Sequence, residues 1–175
     1  MANQRVRLTK KLLKTALIEL LGEKSIDKIT IYELCKRAEI NRTTFYKYYG
    51  SQQDLFNEIQ DDFCDELEAK LNPGDESSLE DLLKYIDGQR ELCKVLITQM
   101  TASSFLDRVK EIQNLQDALN DDVFNSNETW QNETLKMFIL EGAYAVIRSW
   151  IWDENPVTPK ELADKLVELI VKTLR

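Results

Sequence analysis

An all-α fold is predicted for this 175-residue chain, and three observations predict it. Apolar residues recur at intervals of three and four over nearly the whole length, the period of one helix face, and no stretch alternates convincingly as a strand. Glycine and proline are scarce, 5 and 3 residues, so turns are few and helices long. Where the periodicity breaks, a Ser, Thr or Asn repeatedly stands just ahead of the next run, often with an acid three residues on, the reciprocal cap that opens a helix. About nine helices follow, and a hydrophobic content of 43% is ample for their core.

The first helix carries Leu12, Leu13, Ala16, Leu17, Leu20 and Leu21 and ends at Gly22. Lys10, Lys11 and Lys14 lie on its outer face, with Arg5 and Arg7 in a preceding arm; they either reach a polyanion or form a solvated basic face. A second, short helix spans Thr30 to Ala38, opened by a Thr30–Glu33 capping box, with Ile31, Leu34, Cys35 and Ala38 on one face. Glu39, Ile40 and Asn41 connect it to a third helix, Arg42 to Tyr48, for which Asn41 is the N-cap. Gly50 stops this third helix, and Ser51 with Asp54 caps the next.

The third helix keeps one clearly apolar residue, Phe45, and offers Arg42, Thr43, Thr44, Tyr46, Lys47 and Tyr48. Arg42 and Lys47 can hydrogen-bond guanine edges or neutralise phosphates. Thr43 and Thr44 can meet a thymine methyl or a phosphate, and Tyr46 and Tyr48 can donate to phosphate oxygens. The plainer alternative is a solvated turn with a tyrosine cluster. Charge supports the first reading. Residues 1–50 hold 11 Lys/Arg and 5 Asp/Glu, a net +6, while residues 51–175 hold 12 and 26, a net −14, the two returning the total of −8. A basic head on an acidic body suits docking of one end on a polyanion. The first three helices therefore form a helix-turn-helix head (1–50) on a helical body (51–175).

In the body, the fourth helix runs from Ser51 with Leu55, Phe56, Ile59, Phe63, Leu67 and Leu71 along one side, until Asn72-Pro73-Gly74-Asp75 breaks it. Ser78 with Asp81 opens a helix bearing Leu79, Leu82, Leu83 and Ile86; Arg90 to Met100 and Ser103 to about Phe124 follow. Asn125-Ser126-Asn127 is a loop, and a long helix runs from about Glu128 to Trp152. Thr158, Pro159 and Glu161 supply the N-cap, the N1 proline and the capping-box acid of the last helix.

The motif residues resemble those of the TetR family of bacterial transcriptional regulators. Ala38, Ile40, Thr44, Phe45, Tyr46, Tyr48, Tyr49, Ser51, Asp54 and Leu55 match its pattern, with Thr30 and Leu34 upstream. The resemblance implies contacts to operator DNA from Thr30, Arg42, Thr43, Thr44, Tyr46, Lys47 and Tyr48. Two positions depart. Glu39 stands where the family usually has Gly, so the turn there is strained or shifted, and Gln52 replaces a Lys that usually meets a phosphate. Residues 138–170, FILEGAYAVIRSWIWDENPVTPKELADKLVELI, resemble small-ligand-sensing C-terminal domains of one branch of the family.

The last two helices are apolar over more than a core-facing stripe, which points to an interface. The resemblance implies a homodimer, with Phe138, Gly142, Ala145, Val146, Trp150, Leu162, Leu166, Leu169 and Ile170 at the contact and two heads reading a palindrome on double-stranded DNA. An unknown small-molecule effector is expected in the body. Tyr85, Ile97, Met100, Phe105, Trp130, Met137 and Tyr144 line its pocket or simply belong to the core. Arg148 is the nearest thing to a ligand anchor, a surface salt bridge being its alternative role.

Catalysis finds no support. The chain has no histidine, the usual general base and a common zinc ligand, and no Gly-rich phosphate loop or nucleophile elbow. Asp61-Asp62 and Asp121-Asp122 read as solvated pairs. No cofactor or metal is expected. Cys35, Cys64 and Cys93 are widely spaced and read as reduced core residues. Without a signal-like segment or a membrane-length apolar run, a cytoplasmic protein is expected. The reading is a ligand-responsive regulator, a repressor. The alternative is a non-catalytic sensor or interaction module that keeps the head as scaffold and binds a partner protein, an option that Glu39 and Gln52 favour.

Overall fold

Helix formers and apolar spacing decide the elements, and capping side chains decide where they begin. The computed structural model describes residues 2–72, 75, 77–99 and 129–173. Its elements are α1 (Ala2–Glu23), a 3-10 turn (Ile26–Lys28), α2 (Ile31–Arg37), α3 (Arg42–Phe45), α4 (Gln52–Lys70), α5 (Ser78–Gly88), α6 (Arg90–Gln99), α7 (Thr129–Trp152) and α8 (Pro159–Thr173). Among the described residues there is no strand. The expected helix over 103–124 and the loop after it lie outside the described residues, as do Pro73 and Gly74. The chain separates into two compact units, Met1–Phe63 and Cys64–Arg175, and the division falls inside α4.

In the first unit, Leu13, Leu17, Leu20, Leu34, Phe45 and Leu55 are fully buried, so α1, α2, α3 and the start of α4 share one core. Arg5 and Arg7, expected in an arm, lie within α1. Residues 2–8 contain no Gly or Pro, and nothing there stops a helix built from good formers. Lys10 and Lys14 do not form a free basic face. Lys10 Nζ sits 2.9 Å from Glu58 Oε2, and Lys14 Nζ lies 2.6 Å from Glu58 Oε1 and also meets Asp62. These pairs tie α1 to α4. Burial alone would push the Glu58 carboxyl up, but hydrogen bonds from Lys14 and Lys10 outweigh it and hold the group below its ordinary range.

In the second unit, α8 packs on α5 and α7 on α6. Leu83 and Ile86 of α5 and Leu162, Ala163 and Leu166 of α8 are buried rows at helical spacing. The start of α5 corrects the expectation for Ser78. Ser77 occupies the N-cap, while the buried Ser78 turns its hydroxyl back on the preceding helix. Its Oγ donates to the Lys70 carbonyl at 2.9 Å and accepts from the Asn72 N–H at 2.8 Å. It thereby satisfies a terminal carbonyl of α4 that has no partner within its own helix.

Arg90, at the start of α6, is the other joint. Its Nε donates to Asp87 Oδ1 at 2.6 Å, and its Nη1 donates to the carbonyls of Trp150 and Ile151 at 2.9 and 3.0 Å. The guanidinium lies 4.4 Å from the centre of the Trp150 ring, whose Nε1 in turn donates to the Val157 carbonyl at 2.7 Å. One cation thus caps the end of α7 and holds the indole that fastens the α7–α8 corner. Cys35 and Cys93 are buried free thiols and Cys64 is a half-buried one; burial pushes the Cys93 thiol up to about 12.

Candidate nucleic-acid interface

The turn between α2 and α3 is built from three local devices. Thr30 Oγ1 accepts from the Glu33 N–H at 3.2 Å and the Glu33 carboxylate accepts from the Thr30 N–H at 3.5 Å, so the expected capping box starts α2. At its end, the Ile40 N–H reaches the Cys35 carbonyl at 2.9 Å and the Glu39 N–H the Lys36 carbonyl at 3.3 Å. This pair of bonds is a Schellman motif, whose C′ residue sits in the left-handed region. Here that residue is Glu39, with φ 54°. The turn is therefore strained rather than shifted, at a cost of about 1 kcal/mol relative to glycine. Asn41 then caps α3, its Oδ1 accepting from the Thr43 N–H at 2.8 Å.

The sequence predicts a third helix that reaches Tyr48. Its regular part is one turn, Arg42–Phe45, followed by tighter three-residue bonds from the Lys47 N–H to the Thr44 carbonyl and the Tyr48 N–H to the Phe45 carbonyl, 3.3 and 2.9 Å, with the Tyr49 N–H on the Phe45 carbonyl at 3.1 Å. Phe45 and Tyr49 are both buried and pin the segment from below, with ring centres 5.7 Å apart. Aromatic side chains favour a helix less than straight-chain ones, and the run of tyrosines tightens accordingly. Lys10 lies 5.4 Å from the Tyr49 ring centre. Burial, then the nearby Glu58 carboxylate, pushes the Tyr49 phenol well above its ordinary value. After Gly50, Ser51 and Asp54 exchange backbone bonds of 3.0 and 3.2 Å, the expected capping box of α4.

Above this base, Arg42, Thr43, Tyr46 and Lys47 are exposed and Thr44 and Tyr48 half-buried. Thr30 is exposed at the start of α2, with its hydroxyl oxygen engaged in the cap. The cations of the head fall into two sets. Lys10, Lys14, Lys24 and Arg37 bind carboxylates of neighbouring elements, Arg37 reaching Glu19 and Glu23 at 3.3 and 3.0 Å. Arg42 and Lys47 make no ion pair among the described residues, nor do Arg5, Arg7, Lys11, Lys28 and Lys36. Their charge is uncompensated and available to an anion. Tyr32, 64% exposed on α2, escapes a reading of the sequence; its only signal there is its place with Lys36, one turn apart, on the polar side of that helix.

In the body, the residues expected at a dimer contact separate into two groups. Phe138 (65% exposed), Gly142, Ala145, Val146 and Leu169 are exposed and Ile170 is half-buried. Trp150, Leu162 and Leu166 are instead buried within the protomer. The reason is internal: Arg90 and Val157 occupy the Trp150 ring, and Leu162 and Leu166 belong to the row by which α8 packs on α5.

Of the expected effector residues, Ile97 and Tyr144 come together in the wall of a cavity of about 910 Å³ between α6 and α7, with Thr98, Ala145, Arg148, Ser149, Trp152 and Asp153. Tyr85 is elsewhere, under Lys70 at 6.0 Å, and Met137 is exposed outside the cavity. Met100, Phe105 and the side chain of Trp130 lie outside the described residues. The salt bridge open to Arg148 is not formed among the described residues. Its neighbours one turn away on α7 are Tyr144, Ala145, Ile151 and Trp152, none of them an acid. Among the described residues, no group of three metal-binding side chains converges, and no helix is long and apolar enough to cross a membrane.

The family described as "Bacterial regulatory proteins, tetR family" matches residues 12–59, and "Transcriptional regulator C-terminal region" matches residues 76–172. No curated protein matches the chain in sequence. Among solved structures, a TetR transcriptional regulator from Streptococcus agalactiae 2603V is similar at a TM-score of 0.71 and 22% identity, covering 97% of each chain. The dihydroxyacetone kinase operon activator DhaS is similar at 0.66 and 20%, covering 95% of this chain and 96% of its own. The fatty acid degradation regulator FadR from Bacillus halodurans is similar at 0.66 and 16%, with the same coverage. At these identities the structural likeness speaks for the fold. The two family matches take in the head and most of the body, and the chain belongs to the TetR family of transcriptional regulators.

Proposed function

We propose that this protein is a homodimeric repressor that binds a palindromic operator through α3 and releases it when a small-molecule effector occupies its body. The observation that carries the proposal is the division of the head's cations. Those that build the head are bound to carboxylates, while Arg42 on α3 and Lys47 in the turn after it, among exposed hydroxyls and phenols, have no internal partner among the described residues. Such groups suit phosphates and base edges. The head then comprises residues 1–50 and the effector-binding and dimerising body residues 51–175. Phe138, Gly142, Ala145, Val146 and Leu169 form the contact between two copies, which places two recognition helices on successive half-sites. An effector that binds one arrangement of the two heads better than the other shifts the population between them.

Binding of the protein to DNA upstream of its own gene, titrated with salt, tests the proposal. Log affinity should fall steeply and linearly with log salt, as several phosphates are neutralised. Specific binding that survives Arg42→Ala with Lys47→Ala would overturn the docking through α3, and sedimentation as a monomer at micromolar concentration would overturn the interface. One observation favours a second reading of sign: the similar structure DhaS is named as an operon activator. A reporter fused to the bound promoter decides between them, repression requiring expression to rise when the gene is deleted.

A further inference from the structure

We propose that the α6–α7 cavity is an anion site, in which Arg148 holds the carboxylate or phosphate of a small metabolite whose planar portion lies on Trp152. The cavity's volume, about 910 Å³, falls in the range of small-molecule sites. Its charged lining is one cation, Arg148, and one carboxylate, Asp153. Arg148 brings five N–H donors in a fixed fork, and among the described residues none of them meets a carboxylate or a carbonyl. Ser149 and the indole N–H of Trp152 are likewise without hydrogen bonds there. The acceptors of the same wall are already engaged in part: Asp153 Oδ1 receives the Asn155 N–H at 2.9 Å, and the Thr98 hydroxyl donates its proton to the Lys94 carbonyl at 2.7 Å. The open donors of this wall are the Arg148 guanidinium, Ser149 and the indole N–H, and its Asp153 carboxylate is already turned in part to the Asn155 N–H, so the ligand it favours is an acceptor-rich anion seated on the guanidinium. Ile97 and the half-exposed Trp152 ring supply an apolar surface for the remainder of the molecule.

The contrast with Arg90 sharpens the assignment. Two described arginines of the body lie on adjacent, packed helices; one is clamped between an acid, two carbonyls and an indole, and the other is free and opens on a cavity. The acidic surroundings, net −14 over residues 51–175, leave Arg148 as a local positive point rather than part of a basic patch. This discourages polyanions, which would meet the surrounding carboxylates as well. Ala145 belongs both to this wall and to the exposed face proposed for the dimer, so a ligand here touches the helix on which the two copies meet. The assignment of the site as a regulatory one rests on the proposed effector response; the assignment as an anion site does not.

Four probes test it on the full-length protein: benzoate, phenyl phosphate, the neutral isostere benzamide and inorganic phosphate, followed by tryptophan fluorescence and thermal shift. Benzoate or phenyl phosphate, whichever carries the matching acid group, should quench the Trp152 signal and raise Tm, with benzamide weaker by about tenfold or more. Arg148→Gln should abolish that preference while circular dichroism stays native, and Trp152→Phe should remove the quench but keep the Tm shift. Equal response to benzamide and benzoate, a response unchanged in Arg148→Gln, or no response to any of the four would overturn the anion site. Inorganic phosphate equal to phenyl phosphate would overturn the role of Trp152. Operator affinity measured beside these separates the two readings: Arg148-dependent binding that leaves DNA affinity unchanged keeps the anion site and sinks the effector response.

Discussion

In the first unit, Met1–Phe63, ion pairs join different elements: Lys10 and Lys14 to Glu58 and Asp62, Lys24 to Glu33, Arg37 to Glu19 and Glu23. In the body, Lys84 pairs with Glu80 and Asp81, Lys94 with Glu91 and Lys172 with Glu168, each within one helix turn. The long-range charged joint among its described residues is Arg90. The difference teaches where each unit gets its shape. A three-helix head has little apolar area to bury and adds crossing pairs that hold its helices in register. The body packs longer helices by apolar rows and needs one cation at a corner, while its surface pairs contribute little.

The largest test of this comparison contrasts free with engaged cations. Arg42→Ala with Lys47→Ala should weaken operator binding by about a hundredfold or more and lower the salt slope by about 0.9 for each phosphate no longer neutralised. Lys10→Ala with Lys14→Ala should lower Tm and leave that slope unchanged. An altered slope in the second variant would break the division into two sets. Next in size, Arg90→Ala should destabilise the protein by about 2–3 kcal/mol, because it strands the terminal carbonyls of α7 and releases Trp150. Urea midpoints report it, with Lys94→Ala, a surface-pair control, shifting them by less than about 0.5 kcal/mol.

Two smaller effects belong to the head. Glu39→Gly should stabilise it by about 1 kcal/mol, by seating glycine in the left-handed C′ position. Unchanged or lower Tm would show that the strain is not there. The Glu58 cluster should give the smallest effect, an acid limb. The carboxyl is held below its ordinary 4.5 in the folded protein, so the stabilisation is present above pH 4.5 and is lost as pH falls through the depressed folded value. Glu58→Gln should flatten stability against pH in that window by less than about 1 kcal/mol, while the same profile around pH 7 keeps its slope.

What was legible in the sequence is what lies within four residues. Thr30 with Glu33, Asn41, Ser51 with Asp54 and Thr158 with Glu161 all hold the bonds expected of them, since a cap involves only its own turn. Even Glu39 could be read, because the turn it occupies asks for a positive φ. The local misses are small: Ser77 rather than Ser78 stands at the N-cap of α5, and α3 stops at Phe45 short of Tyr48. The larger misses are non-local. Nothing in residues 5–14 says that two lysines face Glu58 and Asp62, 48 positions on, and nothing around Arg90 points to carbonyls 60 residues away. A broadly apolar helix gives its inner and outer rows the same signature, so Trp150, Leu162 and Leu166 could not be told from Phe138 and Leu169. In the cavity wall, residue type and position found Ile97, Tyr144 and Arg148, whereas Ser149, Thr98 and Asp153 become wall residues only once α6 and α7 pack.

The Ser78 hydroxyl has a mechanical consequence. It holds the last carbonyl of α4 and the Asn72 N–H that follows, and it belongs to the first residue of α5. The Ser78 hydroxyl thus joins the two helices beside the backbone bonds from the Asp75 N–H to the Asn72 carbonyl and from the Ser78 N–H to the Asp75 carbonyl. α5, on which α8 packs, is thereby held to the end of α4. Removing that hydroxyl oxygen in Ser78→Ala would leave the packing rows intact while allowing α4 to fray at Lys70.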